Sequence, residues 1–254
     1  MTLIQRQWRL FLTAVMFLTR IPVGATRAFE RTDFPDATPY FPLVGMGVGL
    51  TGAAVLSASA IIFPAAVAIL FSMLATVLMT GALHEDGFVD AVEGLTGGLT
   101  RERRLEIMKD SRIGTYGALA LWFGLTLKFA LLFYLLQTSR PWVCAAMIFA
   151  HAFSRGGCVI LMRFMSYATV SEPKSDAFFN GMRSWHLLPA LGFPLALGWA
   201  LMGPRAIVCG MAGAVIILLC GFYFRKKIGG VTGDCLGATI QLTELSLYMT
   251  LLLK

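Results

Sequence analysis

The chain has 254 residues, of which 57% are hydrophobic and only 14% charged, and its net charge is +7. Soluble domains carry about 25% charged residues. Here the apolar residues come in long blocks rather than amphipathic stripes, which excludes an ordinary soluble domain and points to an all-α, polytopic helical membrane protein. A basic excess raises nucleic acid as a partner, but the placement of the charges assigns it instead to membrane topology.

The first apolar stretch, 8–23, is interrupted by Arg20 and bordered by Arg6 and Arg9. It reads as an N-terminal interfacial helix, and as no cleavable leader because a small-residue cleavage site is missing from the usual place. Seven segments follow that approach the ~20 residues needed to cross a ~30 Å hydrocarbon core: 40–63, 64–83, 114–136, 142–162, 187–203, 206–224 and 237–253. No internal repeat or low-complexity linker separates them, so residues 1–254 are expected to form a single integral membrane domain.

Between the second and third segments stands HEDGFVDAVEG, residues 84–94, with Glu85, Asp86, Asp90 and Glu93. Asp86, Asp90 and Glu93 are spaced i, i+4, i+7 and project from one helical face within about 60°. Like charges stacked that way repel unless a cation answers them. A hard divalent ion such as Mg²⁺ does so with oxygen ligands and leaves positions open for phosphate. The plainer alternative is a solvated acidic face paired with nearby arginines.

KDSRIGTYG, residues 109–117, brings Lys109, Asp110, Ser111, Arg112 and Thr115 to a helix start flanked by glycines. Donors of this kind bind phosphate; the alternative is a capped helix start with a basic anchor. Within the fourth segment lie His151, Ser154 and Arg155, and within the seventh Gln241 and Glu244. Ionisable groups at that depth are costly and mark functional sites or structural pairs such as Arg155–Glu244; Lys128 stays unassigned between a pair and a snorkelling side chain. GGVTGD, residues 229–234, offers Gly230 and Gly233 for an anion nest and Asp234 as a further ligand, or else forms a plain turn. Four of the five cysteines lie inside apolar blocks and no CxxC pair exists, which argues against a zinc site or a disulfide framework.

Alternating the seven segments puts sixteen basic residues on one side and three on the other. By the positive-inside rule the first side is cytoplasmic, and it carries the 84–113, 163–186 and 225–236 loops with nearly every polar cluster. Nucleic acid is not expected as a partner; the lipid bilayer is.

GALHEDGFVDAVEGL, followed by RERRLEIMKDSRIGTYGALAL, resembles the adenosylcobinamide-GDP ribazoletransferase (cobalamin synthase) family. So do FLTRIPVG, FPLVGMGVG, SRG at 154–156 and GGVTGDCLGATIQLTEL, from one end of the chain to the other. The resemblance implies an enzyme of the bacterial cytoplasmic (inner) membrane, multi-pass, with its active site facing the cytoplasm. It implies that adenosylcobinamide-GDP reacts with α-ribazole, or its 5′-phosphate, to give adenosylcobalamin, or its 5′-phosphate, and GMP, with Mg²⁺ as the metal. On that reading Asp86, Asp90, Glu93, Asp110 and Asp234 are the expected metal ligands, and Asp90 also the expected proton acceptor. Lys109, Arg112 and Arg155 are expected to stabilise the transition state, and Ser111, Thr115, Gly230, Gly233 and Glu244 to contact substrate. A homo-oligomer is compatible with this reading.

Three departures from the family pattern stand out. The family commonly has aspartate where this chain has Glu93, and glutamate where it has Gln241. The 163–186 loop reads TVSEPKSDAFF where relatives continue differently. Another membrane Mg²⁺ phosphotransferase or a prenyltransferase is the alternative enzyme. The former would carry a longer Asp-Gly run continuing into Ala-Arg, the latter a second Asp-rich helix. A transporter would show internal repeats and polar midplane residues in several segments.

Overall fold

The computed structural model describes residues 2–23, 33–110, 112–168, 179 and 181–253. Among them the regular structure is helical, apart from one isolated parallel bridge between Tyr167 and Val231. Helix α1 (Leu3–Leu18) opens with a capping box, in which Gln5 N–H donates to Thr2 Oγ1 and Thr2 N–H to Gln5 Oε1. It buries Leu10, Ala14, Val15 and Leu18 and leaves Leu3, Ile4 and Trp8 exposed, as an interfacial helix does. Arg9 and Arg6 tie it to Asp33 and Asp36 of the short α2 (Asp33–Ala37) at 2.8 and 2.7 Å.

Helices α3 (Phe41–Ile62) and α4 (Ala65–Thr80) form one antiparallel pair, α7 (Thr115–Thr138) and α8 (Arg140–Phe164) a second, and α9 (Leu187–Met202) and α10 (Arg205–Ile228) a third. The turns inside these pairs, at 63–64, 139 and 203–204, are one or two residues long and fall on one face of the bundle. The longer connections, with α5 (Leu83–Gly97) and α6 (Arg101–Met108), fall on the other. Helix α11 (Gly233–Leu251) runs through the middle, against α5, α7, α8 and α10.

All seven expected segments are helical, from α3 to α11. Among the described residues, five helices are by themselves long and apolar enough to cross a membrane: α3, α7, α8, α9 with the turn before it, and α10. The 64–83 segment ends as a helix of 16 residues, shorter than a crossing needs, and breaks by 85° into α5; that pair counts at most as a sixth. The break runs through two left-handed residues, Gly81 (φ 65°) and Ala82 (φ 58°). Helix α11 falls outside the set because it carries Asp234, Gln241 and Glu244. A helix enclosed by protein satisfies such groups with neighbouring side chains, so it can run at membrane depth without being apolar throughout.

What holds α8 in place is its contact with α3. Side chains are missing where the two backbones meet: a Cβ on Gly49 would stand 2.7 Å from Ile148 Cα, and one on Gly45 would strike His151 O. Gly45 and Gly49 have the spacing of the close-packing motif of membrane helices. A Cβ on Gly47, on the other face, meets nothing within 4 Å. Gly49→Leu is therefore expected to lower thermal stability in detergent by about 2–4 kcal/mol, and Gly47→Leu to leave it within about 0.5 kcal/mol. Equal effects of the two would show that the α3–α8 contact is not what fixes α8.

Candidate active site

Helix α5 leaves the 85° break carrying His84, Glu85, Asp86, Asp90 and Glu93. Its backbone rests directly on the start of α11. A Cβ on Gly87 would lie 3.0 Å from Asp234 Cα and 3.2 Å from Asp234 O, and one on Gly237 would lie 3.2 Å from His84 O and 3.3 Å from Gly87 Cα. The two glycines thus face each other, and their bare backbones put Asp234 beside the α5 turn that carries Asp86 and Asp90. The 229–234 turn is braced from behind: Val231 N–H donates to Ser166 O at 3.0 Å, and Ala168 N–H to Val231 O at 2.9 Å.

The charges of these aspartates act on one another. Asp90 and Asp234 lie outside the five crossing helices and are partly buried. Burial first, then the charges of Asp86 and Asp234, push Asp90 up to about 6. Burial likewise raises Asp234 to about 6; the Thr232 hydroxyl opposes that, and the charge of Asp86 adds to it. Three carboxylates held within each other's field cost folding energy, which is a mark of a binding or catalytic site. Among the described residues, however, no three Asp, Glu, His or Cys side chains converge as a ready-made metal cage.

Glu93 departs from the expected cluster. Its Oε2 accepts from Gly117 N–H at 2.5 Å, at the N-terminus of α7. The helical angle is shared with Asp86 and Asp90, but the longer arm reaches unpaired N–H groups instead. Asp110 departs as well: both its oxygens are engaged by Arg112, with Nη2 at 2.6 Å from Oδ2, and this hydrogen-bonded guanidinium holds Asp110 down at about 2. Lys109, Arg112 and Thr115 are exposed, and Ser111 lies outside the described residues. Gly233 is exposed with open space where a side chain would be, whereas Gly230 is buried against Ser166 O and serves packing. Helix α6, whose end carries Lys109, is fixed to the end of α10 by Arg101 Nε donating to Ile228 O and Arg104 Nη1 to Lys227 O, both at 2.9 Å.

Beneath the aspartates lies a closed ionic cluster. Arg155 Nη1 meets Glu244 Oε1 at 2.8 Å, as the two residues' positions in the sequence suggest. Lys128 Nζ meets Glu244 Oε2 at 2.8 Å, and His151 Nδ1 stands 3.0 Å from Oε1. Arg155 is 1% exposed and Glu244 0%, so both sit inside the cluster and not on the open face beside Asp86 and Asp90. Arg155 instead reaches up to His84 Nδ1 at 3.4 Å, and Gln241 Nε2 donates to Glu85 Oε1 at 2.9 Å. The cluster therefore supports the foot of α5. Sequence reasoning gave His84 and Glu85 no part and left Lys128 open between a pair and a snorkelling side chain; the structure pairs it with Glu244.

Set beside known proteins, this helical membrane bundle with a carboxylate face at its boundary falls into a defined class. The model of the family described as cobalamin-5-phosphate synthase matches residues 10–252. Adenosylcobinamide-GDP ribazoletransferase of Shewanella amazonensis is 38% identical, over 100% of this chain and 98% of its own. The enzymes of that name from Leptothrix cholodnii and Shewanella halifaxensis are each 40% identical, over 95% and 100% of this chain and 94% and 98% of theirs. The chain belongs to the cobalamin-5-phosphate synthase family. No solved structure matches it.

The mutual repulsion of the aspartates has a measurable sign. A carboxylate whose folded pKa is raised is stabilising, relative to the unfolded chain, below its ordinary value near 4, and that advantage is lost as pH rises through about 6. Asp90→Asn cannot ionise. Without divalent metal it is expected to be more stable than the parent at pH 8 by about 1–2 kcal/mol, after discount for partial exposure, and equal to it at pH 4. Thermal unfolding in detergent with chelator reads this; an Asp90→Asn protein less stable than the parent at pH 8 would contradict the geometry.

Proposed function

We propose that the chain carries out its family's ribazole transfer where α5 meets the start of α11, at Asp86, Asp90 and Asp234. The activity is that of an adenosylcobinamide-GDP ribazoletransferase, in the last assembly of the cobalamin nucleotide loop. The acceptor is α-ribazole or its 5′-phosphate. The observation that carries this reading is the convergence of three aspartates from two distant stretches, in a family whose named substrate contains a pyrophosphate.

These residues fit Mg²⁺. They offer oxygen only, they repel one another without a cation, and Mg²⁺ is commonly held by one or two carboxylates together with water and substrate phosphates, so a preformed cage is unnecessary. When bound there, Mg²⁺ neutralises charge on the pyrophosphate oxygens. The residues of the chain do the rest. Asp90, more buried than Asp86, takes the proton of the ribose hydroxyl as that oxygen bonds to the cobinamide-side phosphorus. The bond from this phosphorus to the bridging oxygen breaks, and GMP leaves with that oxygen. Lys109, Thr115 and the open Gly233 backbone offer donors to the phosphates. Arg112 joins them by exchanging Asp110 for a phosphate oxygen, a like-for-like anionic partner. Arg155 acts at one remove, by holding His84 and with it the foot of α5.

The site faces the cytoplasm of a bacterial cell on this reading, since the 84–113 and 225–236 segments lie on the basic-rich side. Purified protein mixed with adenosylcobinamide-GDP, α-ribazole and Mg²⁺ is expected to release GMP. Asp86→Ala and Asp90→Ala are expected to lower that rate by about 100-fold or more while inserting normally into membranes. Near-parental Mg²⁺-dependent turnover by Asp90→Ala would place the chemistry elsewhere.

A further inference from the structure

We propose that Glu93 is a positioning residue: it caps α7 from α5 and so sets the distance between the carboxylate face and the cation-bearing 109–115 segment. The inference rests on the site reading above for its functional consequence, and on geometry alone for the cap.

The first N–H groups of any helix lack intrahelical partners, and a Ser, Thr, Asp or Asn at the N-cap usually accepts from the N–H two or three residues on. At α7 the N-cap is Gly114, which has no side chain to do this. Glu93 Oε2 takes the hydrogen bond from Gly117, the third residue of α7's first turn, at 2.5 Å. The glycines of the 114–117 stretch make the room. A Cβ on Gly114 would overlap the Glu93 carboxylate, and one on Gly117 would lie 3.0 Å from Glu93 Oε2 and 2.7 Å from Val89 Cγ1. A residue on α5 thus performs the duty that Gly114 gave up.

Arm length decides where this carboxylate goes. Asp86, Asp90 and Glu93 share a helical face within about 60°, so angle alone does not separate them. An aspartate at 93 would be one methylene shorter, about 1.5 Å, and would fall short of Gly117 N–H. With glutamate the stretch from Lys109 to Thr115 is pinned at both ends: α6 before it is tied to α10 by Arg101 and Arg104, and α7 after it is tied to α5 by Glu93. Lys109 and Arg112 are then held in fixed relation to Asp86 and Asp90. Reacting groups misplaced by about 1 Å cost about 100-fold in rate, so losing one pin is expected to register in turnover.

The test uses the full chain in detergent, with Mg²⁺ titration of GMP release and amide hydrogen exchange over the first turn of α7. Glu93→Gln keeps an acceptor oxygen. It is expected to leave the Mg²⁺ concentration for half-maximal activity unchanged and kcat within about threefold. Glu93→Ala is expected to lower kcat about tenfold or more, leave Mg²⁺ half-saturation unchanged, and speed exchange at Gly117 N–H about tenfold. Gly114→Ala is expected to lower kcat in the parent but to add nothing in the Glu93→Ala background, because the collision is with the carboxylate. A tenfold rise in Mg²⁺ half-saturation for Glu93→Gln, with Gly117 still protected, would make Glu93 a metal ligand and overturn the proposal. Unchanged kcat in Glu93→Ala would reduce the cap to a purely structural one and overturn its positioning role. If the parent itself released no GMP, the site reading would fail, while exchange at Gly117 would still decide the cap.

Discussion

Everything at the carboxylate site depends on two helices touching backbone to backbone. Gly87 of α5 and Gly237 of α11 present no side chains to each other, and this alone lets Asp234 stand beside Asp86 and Asp90. With a Cβ on Gly87, α5 would have to move away from Asp234 by several tenths of an ångström at least. The energetic logic is uphill: the contact brings together like charges that raise two of the aspartates to about 6. Close packing of apolar helices around the site offsets that cost.

The layers beneath serve the same end. Gly45 and Gly49 seat α8 on α3, α8 presents Arg155, and Arg155 joins Glu244 of α11 to His84 at the foot of α5. Lys128 from α7 adds a second cation to the single glutamate. Four helices therefore meet in one buried ionic cluster, deep in a low-dielectric bundle, where a missing partner is costly. A buried pair is weak evidence for stability in itself. Here its position points to registry, since its members come from four helices and the uppermost carries the carboxylate motif.

Much of this was legible in the sequence, and the misses have physical causes. Blocks of apolar residues located every major helix, and the basic asymmetry sorted the loops. Length and hydropathy alone pick out five crossing helices among the described residues, because α11 carries polar groups that its protein neighbours satisfy and α4 has only 16 residues before it bends into α5. The helical wheel put Asp86, Asp90 and Glu93 on one face, and angle says nothing of reach: Glu93 extends to Gly117 instead. Spacing also could not foresee that Asp110 would turn to Arg112 two residues away. The Arg155–Glu244 pair was readable from depth, whereas Lys128 needed the rotation of α7 to choose between lipid headgroups and Glu244. Gly230 and Gly233 look alike in sequence; only the approach of Ser166 shows that the first is packing and the second faces open space.

The proposed site needs α5 and α11 together, and not α5 alone, to hold Mg²⁺. Soaking crystals or grids of the protein with Mn²⁺ and adenosylcobinamide-GDP would locate the ion directly, by anomalous scattering or density. A metal between the two helices is expected, with oxygens of Asp90 and Asp234 at about 2.1 Å. A metal held by Asp86, Asp90 and Glu93 with Asp234 turned away, or one placed at Asp110, would contradict it.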